Sequence, residues 1–381
     1  MTYCLNLNEA SIDFLRTIEG QMGIVADLSR ADILLYGRKS DQEAIVLAHA
    51  QPHSLAHVYN RSREGYVVSS KTRPEVIQAL IFGQAQKEHR SFIAEGAPVV
   101  RQALPVFFPP PIATCDYGTE PKEKSRVVAT LIFVTNLIEY ERHRLRSEVF
   151  RQALKKLQIM VSYGRVPGAE QLSPFGEQDG LIFVDSAGVV QYVSGIASNL
   201  YRRLGYKETL VGRHLAALET TDEEIRQAAL EQNRCLERET KEGDRFWIHK
   251  ALPLFSFSAN YRSWLKLFNR APLTEKPYGV MIALQDATES RRQDQEIRVK
   301  NAMIQEVHHR VKNNLQTIAG LLRMQARRVK SEEARQVLDE TLNRILSIAV
   351  IHEFLSNENS NIINIKEVSH RIVAQFRQGM L

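Results

Sequence analysis

The chain has 381 residues, 44% apolar and 25% charged, with a net charge of +6. This composition is that of an ordinary soluble protein of about two or three domains, each able to bury a core. Basic residues alternate with acids, as in "EYERHRLRSE" (Glu139 to Glu148), which indicates solvated helix faces rather than a nucleic-acid surface.

Cys4, Cys115 and Cys235 are isolated, with no CxxC and no disulfide framework, which fits a reducing cytoplasm. The longest apolar run, "VVATLIFVTNLI" (Val127 to Ile138), contains Thr130, Thr135 and Asn136 and falls short of the ~18 to 20 residues of a membrane span. The N-terminus has no basic stretch leading into an apolar one. A cytoplasmic protein without membrane contact is expected.

Residues 8 to about 30 are predicted as a helix, because Leu15, Ile18, Met22, Val25 and Leu28 recur at three or four residues. "DILLYG" and "EAIVLAHA" follow as strands, and "RPEVIQALIFGQ" as a helix with Pro74 in its first turn. "APVVRQALPVFF" and "SRVVATLIFVTN" are strands flanking a proline-rich loop, Pro109 to Ser125. These pieces predict an α+β domain over residues 1–140. Asn136 to Gly164 reads as one charged helix with Leu145, Val149, Ala153, Leu157 and Met160 on a stripe. It forms a linker over 141–173, closed by the Pro- and Gly-bearing "GRVPGAEQLSPFG".

A second α+β domain is expected over 174–288. "DGLIFVDSAGVVQYVSG" is a pair of strands around Asp185, Ser186 and Gly188, and helical pieces are expected up to Thr240. "RFWIHKALPLFSF" and "PYGVMIALQDATE" are strands, separated by a segment (258–276) long for a hairpin loop. Cys235 is expected to be a buried residue in a helical pattern.

From Glu289 to about Arg328 only Gly320 weakens a long helix. Ile297, Ile304, Val311 and Ile318 recur every seven residues along it. A second helix, Ser331 to about Leu355, carries Leu338, Leu342, Ile345, Ala349 and His352 on its stripe. The short break predicts an antiparallel pair, all-α, completed by a second copy into a dimeric four-helix bundle. Residues 289–305 are the connecting helix and 306–381 the dimerisation region.

Within it stands "EVHHRVKNNLQTIAGLLRMQARR" (Glu306 to Arg328). His308 shares a seven-residue register with Leu315, Leu322 and Val329, on or beside the buried stripe. His309 lies about 100° further round, aligned with Gln316 and Arg323, so it is the exposed imidazole. Asn313 is one turn on, and Arg310 and Lys312 bring positive charge. A neutral imidazole with an amide to aim it and cations nearby suits phosphoryl transfer. Adjacent histidines point apart on a helix, which disfavours a metal site here. His49, His53 and His57 share a four-residue spacing, but Pro52 interrupts a helix through them, and no metal site is expected.

The stretch closely resembles the phosphoacceptor segment E-[IV]-H-H-R-V-K-N-N-L-Q of bacterial soluble sensor histidine kinases of the HisKA_2/HWE-like subfamily. In that family the phosphoacceptor is followed by Arg and, four residues on, by Asn. The resemblance thus implies His309 as phosphoacceptor, with Arg310 and Asn313 beside it and His308 as second candidate. "RILSIAVIHEFL" resembles the family's dimerisation helix. "GLIFVDSAGVVQYVSGIASNLYRRLGY" and "VMIALQDATE" resemble a PAS domain, in which Asp286 and Thr288 would tie the last strand to the outgoing helix. "ADLSRADILLYGR" and "RPEVIQALIFGQ" resemble a GAF-like sensor domain.

Such kinases continue into an ATP-binding domain, whereas "VSHRIVAQFRQGML" stands where it should begin, and the family's glycine boxes are not found upstream. The resemblance implies a two-component kinase that passes phosphate from His309 to a response regulator, truncated before its ATP-binding domain. No cofactor is then expected in the chain, and no autophosphorylation of the chain alone. ATP and Mg would come with a catalytic domain. The alternatives are a phosphotransfer protein served by another kinase and a non-catalytic dimeric sensory scaffold. The expected partners are a second copy and a response regulator, of the type with an RNA-binding antiterminator output. A small-molecule ligand of the GAF-like or PAS domain is left open, and no direct nucleic-acid contact is expected.

Overall fold

Asn8 opens the first helix: its carboxamide oxygen accepts from the Ser11 amide at 3.0 Å. Helix α1 (Glu9–Ser29) then runs until Arg30 turns left-handed at φ 51°. In this computed structural model, residues 7–53, 57–110, 125–259 and 273–357 are described, with 366, 369 and 370. Most of the proline-rich loop, Cys4, Cys115 and most of "VSHRIVAQFRQGML" lie outside them.

Strands β1 (Asp32–Arg38), β2 (Glu43–Ala50), β3 (Val67–Ser69), β4 (Gln86–Ala94), β5 (Ala97–Phe108) and β6 (Arg126–Asn136) form an antiparallel sheet in the order β3-β2-β1-β6-β5-β4. Helix α2 (Pro74–Phe82) packs on one face against Leu34, Tyr36, Ile132 and Val134. α1 packs on the other, against Leu131 and Phe133. The edge strands β3 and β4 were not expected from sequence. β3 is three residues long, and β4, "QKEHRSFIA", lacks the alternation of a half-buried strand because it pairs on one side only.

The single helix expected over 136–164 is two, α3 (Leu137–Leu145) and α4 (Glu148–Ser162). The Ser147 hydroxyl accepts from the Phe150 amide at 3.2 Å and starts α4 afresh. Leu145 is therefore exposed, and the buried stripe begins at Phe150.

The second sheet contains β7 (Gly180–Asp185), β8 (Val190–Val193), β9 (Leu236–Glu242), β10 (Arg245–Ala259) and β11 (Leu273–Asp286), antiparallel in the order β8-β7-β11-β10-β9. Helices α5 (Gly195–Arg203) and α6 (Asp222–Glu231) cover one face. A Cβ at Gly180 would stand 2.7 Å from the Ala197 Cα, so its bareness lets α5 close on β7. The helical reading up to Thr240 is corrected: α6 ends at Glu231, Asn233 turns left-handed (φ 51°), and β9 follows. Cys235 lies between them, buried, and burial pushes its thiol up to about 12. The described ends of the segment expected as a loop over 258–276 extend the β10–β11 hairpin, with Ser258 opposite Thr274 and Ala259 opposite Leu273; residues 260–272 lie outside the described residues.

A shared core joins the two sheets. Leu15, Met22 and Val25 of α1 and Phe150, Leu157 and Met160 of α4 pack with Leu252, Leu254 and Met281 of the second sheet. Met1–Thr288 is one compact unit and Glu289–Leu381 another. The connection into the second sheet is clamped residue by residue. The Ser173 amide and hydroxyl donate to Glu237, at 2.7 and 2.8 Å. Lys250, fully buried, donates to the Pro174 carbonyl at 2.6 Å. The Phe175 amide donates to Asp27 of α1, and the Gly176 amide to Asp179, both at 2.9 Å.

The Thr288 hydroxyl donates to Asp286 at 2.5 Å and accepts from the Phe246 amide at 3.0 Å, and Arg245 pairs with Asp286 at 3.1 Å. Burial pushes the Asp286 carboxyl up, but these bonds and the Arg245 charge hold it below its usual range. The C-terminal unit contains α7 (Thr288–Ala326) and α8 (Glu332–Asn357). No helix among the described residues is long and apolar enough to cross a membrane.

Candidate functional site

On α7 the residues turned inward are Gln305, His308, Lys312, Leu315, Ala319, Leu322 and Ala326, spaced alternately by three and four. On α8 they include Leu338, Leu342, Ile345, Ala349 and His352. The seam between the two helices thus runs in the register of His308. The row expected to form the seam differs: Ile297, Ile304 and Ile318 are exposed, and only Val311 is half-buried. Together with Val307 and Leu321 this row makes a second apolar face on α7.

His308 is half-buried, and its Nδ1 lies 2.9 Å from Nδ1 of His352, with the ring centres 5.1 Å apart. One imidazole donates and the other accepts, so the bond needs at least one of them neutral. His352 was read from sequence as a stripe residue only. Its appearance on the α8 stripe, opposite a histidine on the α7 stripe, was the available signal.

His309 is exposed. It is nine residues from Ile318, about two and a half turns, so it stands on the side of α7 opposite the outward apolar row. Asn313 is exposed too, and its carboxamide has no hydrogen-bond partner among the described residues; only its backbone carbonyl is used, by the Thr317 hydroxyl at 3.0 Å. Arg310 is not free beside His309, because its Nε donates to Glu306 at 2.7 Å. That bond and the Arg310 charge lower the Glu306 carboxyl, and the nearby His309 adds to this. Sequence reasoning missed this pair, although the acid-to-base spacing of four residues was visible. The arrangement offers an accessible imidazole with a free amide one turn away and, on the next residue, a guanidinium engaged by Glu306.

The N-terminal unit holds its histidines elsewhere. His49 bonds Asp32 at 3.2 Å and accepts from the Arg63 amide at 3.3 Å. The His53 ring lies 3.2 Å from Asp27, and His57 is exposed. The three do not converge.

A further cluster that sequence reasoning did not single out lies under α5 and α6. His249 is fully buried, with Nδ1 2.9 Å from Asp222 and Nε2 2.9 Å from the Thr240 hydroxyl. Asp222 also accepts from Tyr201 (2.5 Å) and Thr220 (2.6 Å), and Glu242 accepts from Thr221 (2.5 Å) and Thr240 (2.8 Å). Burial pushes the Tyr201 phenol well up, so it remains a donor. The signal was His249 alternating with Trp247 and Ala251 on one strand face.

Residues 306–380 match the histidine-kinase family HisKA_2, and residues 2–153 match the GAF domain of histidine kinase PdtaS. The sensor histidine kinase PdtaS of Mycobacterium tuberculosis is 28% identical over 384 residues, covering 96% of this chain and 70% of that protein. PdtaS of Mycolicibacterium smegmatis is 28% identical over 380 residues, with the same coverage. The fold is similar to a solved sensor region of a sensor histidine kinase, with a TM-score of 0.51 at 23% identity over 76% of this chain and 96% of that one. These matches support a histidine-kinase signalling role, with a GAF domain near the N-terminus and a HisKA_2 segment near the C-terminus.

Proposed function

We propose that this chain is the sensory and phosphoacceptor part of a cytoplasmic two-component histidine kinase, and that His309 takes the phosphoryl group. The carrying observation is the contrast between the two histidines: His308 is engaged by His352, while His309 is exposed one turn before the free Asn313 amide. A neutral ring nitrogen of His309 attacks the γ-phosphorus of Mg-bound ATP. A P–N bond forms, the P–O bond to ADP breaks, and the proton on the other ring nitrogen passes to solvent. ATP and Mg are held by an ATP-binding domain acting in cis or trans, and Arg310, on the residue after His309, offsets the charge on the transferring group by exchanging Glu306 for it. A response regulator then takes the phosphoryl group; an RNA-binding antiterminator output is the type proposed. Residues 1–140 are the GAF domain, 141–173 a helical linker, 174–288 a PAS domain, 289–305 the signalling helix and 306–381 the dimerisation and phosphotransfer region. The test is mass-spectrometric mapping of phosphohistidine after incubation with ATP, Mg and a histidine-kinase ATP-binding domain. A chain that never takes up phosphate would favour the sensory scaffold.

The second apolar face of α7 is the proposed dimer contact. Ile304, Val307, Ile318 and Leu321 on α7 and Ile348 and Ile351 on α8 are all more than 40% exposed in the single chain. Packing these faces together gives a four-helix bundle that leaves His309 on the outside. Light scattering of the full chain should give a dimer. Ile318→Asp with Leu321→Asp should weaken it by roughly a hundredfold or more, since two charges enter an apolar contact. A wild-type monomer at micromolar concentration would remove the bundle.

A further inference from the structure

Helix α4 has two working faces. Phe150, Ala153, Leu157 and Met160 are buried in the core shared by the two sheets. This face also holds strand β10: the Phe255 amide donates to the Met160 sulfur at 3.3 Å, and Lys156 donates to the Ser256 hydroxyl at 3.0 Å. The other face, Arg151, Leu154, Lys155, Gln158, Ile159 and Ser162, keeps the spacing of a single helix stripe. It forms one wall of a groove of about 710 Å³ against strands β5 and β6 of the first sheet.

The groove has the chemistry of a binding site. Leu104, Phe107, Phe133, Leu154 and Ile159 give it apolar walls, and Gln102 and Thr135 add polar groups. Its volume lies in the range of roughly 300–1,000 Å³ typical of small-molecule sites. Among the described residues that line it there is no aspartate or glutamate. Arg151 and Lys155 are exposed along its α4 wall, and neither has an ion-pair partner among the described residues. Two cations four residues apart, neither ion-paired among the described residues, over an apolar floor with no acid among the described lining residues, select for negative charge on an apolar body.

We infer that this groove binds a small organic anion, with its acidic group held between Arg151 and Lys155 and an aromatic or branched body lying against Leu104, Phe133 and Leu154. The inference does not depend on phosphotransfer at His309, so either can fail alone. Occupancy would press on the α4 stripe opposite the one that holds β10, which gives the ligand a direct mechanical route to the second sheet.

The probe is 8-anilinonaphthalene-1-sulfonate, an aromatic body with one sulfonate, titrated by fluorescence into the full chain. The uncharged N-phenyl-1-naphthylamine is the control. The variant is Arg151→Ala with Lys155→Ala; both positions are exposed, and an unchanged melting temperature would verify that the fold is kept. Wild type should show a saturable component of one site per chain, weakened roughly tenfold or more in the variant. Any sulfonate probe bound on the apolar faces of α7 and α8 is unaffected by the variant and drops out of the difference. The uncharged probe should bind wild type and variant alike. Identical sulfonate isotherms for the two proteins, or equal loss of both probes in the variant, would overturn the inference.

Discussion

His309→Gln is expected to remove all acid-labile, base-stable phosphate from a chain given ATP, Mg and a histidine-kinase ATP-binding domain. The stability pattern of the label is that of a phosphoramidate, and glutamine has no ring nitrogen to form one. The substitution is at an exposed position, so the melting temperature and the dimer should be unchanged. His308→Gln should behave in the opposite way. It breaks the 2.9 Å contact with His352 and lowers the stability of the helical pair, yet some label remains because the nucleophile is intact. Asn313→Ala should slow labelling without ending it, since an aiming group is lost and not the reacting atom. Without the added domain no label is expected. Loss of label in His308→Gln alone would transfer the role to His308, and strong labelling of the isolated chain would reveal a nucleotide site within it.

His249→Ala is expected to destabilise the N-terminal unit by about 3–5 kcal/mol, because the buried Asp222 carboxylate loses its hydrogen bond to His249 and a ring-sized cavity opens beside it. For a unit of this size that corresponds to a fall in Tm of roughly 6–20 °C. Asp222→Asn should cost less, since an amide oxygen can still accept from Tyr201 and Thr220. The acid dependence has a definite sign. Burial raises the Asp222 carboxyl, but the hydrogen bond and charge of His249, with Thr220 and Tyr201, bring it below its usual value. A carboxylate with a lowered folded pKa contributes stability above its unfolded pKa of about 3.9 and loses it as the pH falls through the folded value. The gap between wild type and Asp222→Asn should therefore be full at pH 7 and shrink below about pH 4. Urea unfolding followed by tryptophan fluorescence at pH 7 and pH 3 measures it. A gap that did not change with pH would mean that Asp222 is not ionised in the folded protein.

Elements whose residues face a core were legible from sequence. α1 betrays itself by Leu15, Ile18, Met22, Val25 and Leu28, and α2 by Pro74 at its start. β3, β4 and β9 were not legible, because an edge strand is fixed by its neighbour's backbone and leaves little pattern in its own side chains. "LERETKE" looks helical by composition and becomes β9 only because β10 offers a free edge. Ser147 was not singled out, because the charged run around it reads as continuous helix. The same division holds at the candidate site. Seven-residue arithmetic separates an inward His308 from an outward His309, because it concerns one helix. The His308–His352 bond and the Asp222–His249–Thr240 cluster each join residues from different elements, and no local period encodes such a meeting.

The clamp on residues 173–176 bears on how such proteins can be recombined. Asp27 near the N-terminus holds the amide of Phe175, and Lys250 far downstream holds the carbonyl of Pro174. A crossover at this junction would separate each anchor from the backbone it was selected to fit. It would also pair halves of the shared core that had never been packed together. Chimeras that exchange one sheet alone should be rare survivors, whereas an exchange at residue 288 carries both sheets and their clamp as a single heritable cassette.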